Sequence, residues 1–218
     1  MPRKYDVEQL DCFGMMLAPN AKLVGKYGFP QLNEQKLIPT INPLPINYMT
    51  SQKCLRDKWF HCFTDDEKYQ KFWYKFHRYT PFFSQAAGFI STDFSLYRDV
   101  DLATQIRNCY KNRVMAYAMQ KINPNIIPTA GFAGESTWEW CFDGLPCHST
   151  VAITTNGTLS DPEARRLFVG GVDALVKTLE PYALVICGNF PRWIYSKYPN
   201  VRIIPIPSYS QLWHRRCG

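Results

Sequence analysis

No stretch of this chain reaches the 18 or so consecutive apolar residues that a membrane-spanning helix needs, so no membrane partner is expected. The N-terminal segment MPRKYDVEQL also lacks the apolar core of a secretory signal, which places the expected site of action in the cytosol. There is no GxGxxG and no GxxxxGK[ST] loop, so a dinucleotide fingerprint and a phosphate-cradling P-loop are both absent, and Gly131, Gly134 and Gly170-Gly171 do not replace them. The 8 cysteines include no paired CxxC spacing. That leaves a zinc site without its usual signature, although Cys141, Cys147 and His148 crowd together and His214 and Cys217 follow near the end. In a reducing compartment these thiols stay free. Cys62 and Cys187 lie inside apolar runs and read as small hydrophobes, and no histidine is identifiable as a partner that would make Cys187 a nucleophile.

What remains is an ordinary globular composition, with 46% hydrophobic and 20% charged residues, which excludes a disordered chain. Aromatic residues are abundant at 15%, which suits a ring-rich core or a surface on which flat ligands stack. The formal net charge of +7 would favour a polyanionic partner, a nucleotide or nucleic acid, if it were gathered on one face. It is spread along the chain, and the one tight basic cluster is His214-Arg215-Arg216 beside Trp213.

The first 56 residues carry Pro19, Pro30, Pro39, Pro43 and Pro45, too many for helices, and read as an extended arm. Its apolar residues, among them Phe13, Leu17, Ile38 and Ile41, predict that it wraps the core. From residue 57 to 218 a repeated pattern predicts one β/α domain: a short apolar run, a polar residue at its end, then an amphipathic helix. Runs fall at 59–63, 88–92, 125–130, 149–155, 183–187 and 201–206. Helices are predicted over 65–79, where Tyr69, Phe72, Trp73, Phe76 and Tyr79 share a face, over 102–122, briefly through 141, and after 160. Thr64 with Glu67, Ser136 with Glu139, and Ser160 with Glu163 fit capping boxes. Strands linked through helices pair in parallel. The expected fold is therefore α/β with a mainly parallel sheet. Some six units fall short of eight, so an incomplete or irregular β/α (TIM-like) barrel is expected, with a doubly wound open sheet as the competing arrangement.

In either arrangement ligands meet the carboxyl ends of the strands. Those ends supply Asp65 and Asp66, Asp93 and Ser95, Glu135, Asn156 and Asn189. Converging carboxylates suit general acid–base work, or a divalent cation, which is the cofactor such a set could bind; the sequence names none. Asp65 and Asp66 can equally be read as helix caps, whereas Asp93 stands too far before its helix to cap it. Arg113 interrupts the apolar stripe Leu102, Ile106, Cys109, Tyr117, so it should either meet a carboxylate or anionic ligand, or carry its head to solvent.

The segments HCFTDDEKYQKFW, FISTDFSLYRDVDLATQIRNCYKNRVMAYAMQ, NIIPTAGF, FDGLP and STVAITTNG together resemble the family known as domain of unknown function 4417, over about residues 59–189. The Asp65-Asp66 and Asp93-Phe94-Ser95 motifs stand here as that family has them. The resemblance implies a protein carried by bacteriophages or mobile elements and acting inside a bacterial cell; it implies no reaction. Two function classes follow. One is an enzyme on a nucleotide or nucleic-acid substrate, with Asp93, Asp65, Asp66 and Ser95 as catalytic candidates and Arg113, Asn156, Glu135 and Asn189 as substrate-binding candidates. The other is a non-catalytic accessory protein that binds a host protein or nucleic acid.

Overall fold

The structure is a computed structural model that describes residues 14–159, 161–208 and 211. Its first strands form a small antiparallel hairpin, β1 (Leu23–Val24) with β2 (Phe29–Pro30). The strands that follow are β3 (Leu44–Pro45), β4 (Trp59–His61), β5 (Gly88–Ile90), β6 (Ile126–Ile127), β7 (Thr150–Thr154), β8 (Ala183–Cys187) and β9 (Arg202–Ile206). They pair in parallel and in chain order, β3-β4-β5-β6 in one sheet and β7-β8-β9 in another. A single parallel bridge, Thr129 to Ala152, joins the two sheets. The order never reverses, as a doubly wound sheet requires, and β3 and β9 remain unpaired edges, so no closed barrel forms among the described residues.

Side chains alternate between the two faces of a strand, and here the alternation sorts the core into three parts. Trp59, Ile90, Ile127, Ala152, Val185 and Ile206, drawn from six strands of both sheets, share one buried cluster, so the sheets curve around a common interior. Phe60, Phe89 and Ile126 face the opposite way, against α1 (Glu67–Tyr74), α2 (Phe76–Gln85) and α3 (Leu102–Gln120). Val151, Ile153, Leu184 and Ile186 likewise pack under α4 (Pro162–Leu179), followed by the short α5 (Trp193–Lys197).

The helix expected over 65–79 is two helices, broken at Lys75, where φ is −136° and ψ 39°. Pro81 lies inside α2 and removes one backbone donor; the Thr80 hydroxyl donates to the His77 carbonyl at 2.9 Å and takes that role. The helix expected through residue 141 shrinks to a 3-10 turn, Glu135–Thr137. Asp161 caps α4, accepting from the Ala164 N–H at 2.7 Å, while Ser160 lies outside the described residues. Gly170 and Gly171 let α4 approach closely, since a Cβ on them would stand 2.4 Å from the Trp138 ring and 2.2 Å from the Phe132 ring.

The proline-rich segment is not only wrapping: β3 joins the parallel sheet. Gln35 stitches the amino end of the seam between β6 and β7. Its N–H donates to the Ser149 hydroxyl at 2.8 Å, its carbonyl accepts from the Thr150 N–H at 2.8 Å, and its side chain bonds the Ile126 N–H and the Pro124 carbonyl. The C-terminal basic cluster and Trp213, His214 and Cys217 lie outside the described residues.

Candidate functional site

All strands from β3 to β9 run in one direction, so their carboxyl ends share one rim. Where that rim crosses the seam, at the ends of β5, β6 and β7, a cavity of about 340 Å³ opens. Leu96, Phe132, Ile153, Leu167 and Phe168 give it apolar walls, and Asp93, Ser95, Thr154, Asn156 and Thr158 are among its polar groups. Asp161, the cap of α4, lines it too, at 3.7 Å from Arg98 of the loop after β5.

Asp93 lies three residues beyond β5, deep in the wall, with part of its surface open to the cavity. Gly131 opposite it has no side chain; a Cβ there would stand 3.4 Å from Asp93 Oδ1. Burial raises the Asp93 pKa to about 7, the negative Asp66 adds to the rise, and the Arg113 charge opposes it. An acid with that pKa can both give and take a proton near neutrality.

Asp66 does not cap its helix. It accepts from the Ser95 N–H at 3.1 Å, the Ser95 hydroxyl at 3.1 Å and the Tyr69 hydroxyl at 2.7 Å. The two aspartates therefore take different roles: Asp66, bonded to three donors, holds the Ser95 loop in place, and Asp93 faces the cavity.

The loop carrying Asp93 is held from below by one face of α3. Asn112 accepts from the Phe94 N–H at 2.7 Å and donates to the Phe94 carbonyl at 3.0 Å. Asn108 donates to the Ser95 carbonyl at 2.8 Å and Gln105 to the Tyr97 carbonyl at 2.6 Å. Lys111 places its ammonium 3.3 Å from the Phe94 ring centre, and burial pushes its pKa down to about 8. These side chains recur every three or four residues, which is why α3 shows no clean apolar stripe. That spacing of amides is the sequence signal for Gln105, Asn108 and Asn112, and it crosses the apolar stripe of the same helix.

Arg113 is 1% exposed and does not reach solvent. Its compensation comes from the main chain: Nε donates to the Asp143 carbonyl at 2.9 Å, Nη1 to the Thr129 carbonyl at 3.2 Å and Nη2 to the Cys141 carbonyl. It therefore stands behind the cavity wall, tying the end of β6 to the 141–143 turn. Leu102, the first residue of its expected apolar face, is exposed.

The other strand-end residues scatter. Asp65 is exposed and pairs with Lys68 at 2.7 Å. Glu135 is an exposed partner of Arg166 at 2.5 Å. Asn189, also exposed, accepts from Gln211. Asn156 lines the cavity, its N–H donating to the Thr154 hydroxyl at 3.1 Å. Among the described residues no three His, Cys, Asp or Glu side chains gather as a divalent cation would need. Cys187 is buried, with its pKa pushed up to about 12 by burial, so its thiol does not ionise at neutral pH. His61 is fully buried, and burial drives its pKa down to about 4, so it stays neutral at physiological pH.

Fold and cleft together define an α/β protein whose acid-bearing pocket sits at the carboxyl rim of parallel strands. Residues 21–205 match the family described as Domain of unknown function (DUF4417), and the chain belongs to that family. It is 31% identical over 156 residues to the Gene 1 protein of Mycobacterium phage L5, covering 72% of this chain and 66% of that protein. To the Gene 1 protein of Mycobacterium phage D29 it is 30% identical over 156 residues, covering 72% and 56%. The match thus spans less than two thirds of the length of these phage relatives. No solved structure matches. No helix among the described residues is long and apolar enough to cross a membrane.

Proposed function

We propose that this protein works inside a bacterial cell, as a phage or mobile-element product, and is an enzyme on a nucleotide or nucleic-acid substrate. In this reading Asp93 transfers a proton to or from a ligand held in the cleft. The observation that carries the reading is the placement of Asp93: a half-buried carboxyl, opening into a cavity at the end of a parallel strand, in surroundings that raise its pKa toward neutrality. Asp66, Ser95 and the amides of α3 hold it, and Thr154, Asn156 and Thr158 offer hydroxyl and amide groups around a substrate. The cavity volume lies near the low end of small-molecule sites, roughly 300 to 1,000 Å³.

A second reading, a non-catalytic binder of a host protein, is favoured by Tyr97 and Leu102, 59% and 50% exposed on the segment that borders the cleft. The two separate in one experiment. Wild type and Asp93→Asn are screened by thermal shift against nucleobases, nucleosides and nucleotides. The enzyme reading expects at least one compound to raise the Tm of wild type and to lose that effect in Asp93→Asn. No response to any compound, together with capture of a host protein that Tyr97→Ala abolishes, would replace it with the binder.

A further inference from the structure

The charges around the cleft are unequal. Asp93, Asp99 and Asp161 line it against one cation, Arg98, and Arg98 already faces Asp161 at 3.7 Å. A phosphate brought into this space would meet more carboxylate than cation. The rest of the lining is apolar: Phe132 and Leu167, partly exposed, stand in front of the buried Phe168 and Ile153, with the exposed ring of Tyr97 at the border. Aromatic rings of this kind stack on heterocycles without regard to their identity.

We propose that the ligand is a neutral planar nitrogen heterocycle with adjacent hydrogen-bond donor and acceptor, a nucleobase or nucleoside without phosphate, whose edge pairs with the Asp93 carboxyl. A protonated carboxyl presents one donor and one acceptor side by side. That pair complements the ring nitrogen and amino group of adenine or cytosine, and equally the N–H and carbonyl of uracil. The ionised form offers acceptors only and loses half of the match. Gly131 leaves Asp93 Oδ1 open to such an edge, and Thr154, Thr158 and Asn156 stand where sugar hydroxyls could bond. The proposal rests on the reading of Asp93 as a proton-carrying group and narrows the substrate class of that reading, from nucleotides and nucleic acids to the phosphate-free base or nucleoside.

The test is calorimetric titration of the full chain with adenosine, cytidine and uridine and with their 5′-monophosphates, at pH 6 and pH 8. At least one nucleoside should bind at pH 6 about tenfold more tightly than its monophosphate. With a carboxyl titrating near 7, its affinity should fall about tenfold at pH 8, because the protonated fraction falls by that factor. Gly131→Ala, which sets a methyl against the carboxyl, should weaken it further. A monophosphate that binds as tightly as its nucleoside, or no binding by any nucleoside, overturns the proposal. If that happens while Asp93 still titrates near 7, only the ligand class falls; if Asp93 titrates near 4, the acid–base reading falls with it.

Discussion

The two sheets are built from different materials. In β7-β8-β9 the strands are five residues long, aliphatic, and paired residue for residue from Thr150, Ala183 and Arg202 to Thr154, Cys187 and Ile206. In β3-β4-β5-β6 they are two or three residues long, and stacked or tilted rings, such as Phe60 on Phe89 at 5.6 Å, fill in for a continuous ladder. The first half therefore depends on side chains that reach across to backbone: Gln105, Asn108, Asn112 and Arg113 at the carboxyl end, Gln35 at the amino end. The cavity opens where the regular half meets the improvised one. A ladder leaves no backbone to shape, whereas a seam held by side chains can be splayed into a cleft.

The sharpest way to break this contrast is Arg113→Met. The substitution keeps the buried stem and removes the donors to three carbonyls around the seam; leaving them unpaired costs about 1 kcal/mol or more each, so stability should fall by about 3 to 5 kcal/mol in urea unfolding. An unchanged midpoint would mean the seam holds without it.

Asp93→Asn should act with a pH signature. The folded-state pKa of about 7 lies above the ordinary aspartate value of 3.8, so the folded state holds the proton more tightly. The stability that Asp93 contributes is then fully present below about pH 4 and is lost as pH rises through 7. Three pH units correspond to roughly 4 kcal/mol at most, and the opening toward the cavity reduces this to about 2 to 3. Relative to wild type, Asp93→Asn should gain that amount between pH 4 and pH 8 in thermal unfolding. A pH-independent difference would contradict the assignment.

Gln35→Ala tests the other end of the seam. It deletes the side-chain bonds to Ile126 and Pro124 but leaves the backbone bonds to Ser149 and Thr150, so a loss of about 1 to 2 kcal/mol is expected. Hydrogen exchange should show it as faster exchange at Ile126, with β8 unaffected.

The same contrast explains what could be read from the sequence. An apolar run at 183–187 returns as β8 with the same bounds, and 149–155 returns as β7 within a residue at each end, because long aliphatic strands carry their own signal. The predicted helix over 102–122 is Leu102–Gln120. β3 was hidden in the proline-rich arm, since two residues paired with β4 leave no periodicity to find. In the site, Asp93, Ser95 and Asn156 line one cavity, and Asp66 and Arg113 stand behind it. Asp65, Glu135 and Asn189 look equivalent in the sequence, yet they end in surface pairs with Lys68, Arg166 and Gln211. Strand-end position alone does not fix which way a short loop turns; that is decided by long-range acceptors such as Asp66 and donors such as Asn112.

The most direct test of the account is the titration of Asp93 itself. Carboxyl carbon-13 resonances of aspartate-labelled protein can be followed from pH 3 to pH 9, with Asp93 assigned by its absence in Asp93→Asn. The account predicts a midpoint near 7 for this one resonance, displaced further upward in Arg113→Met. A midpoint at or below the ordinary aspartate value of about 3.9 would contradict it.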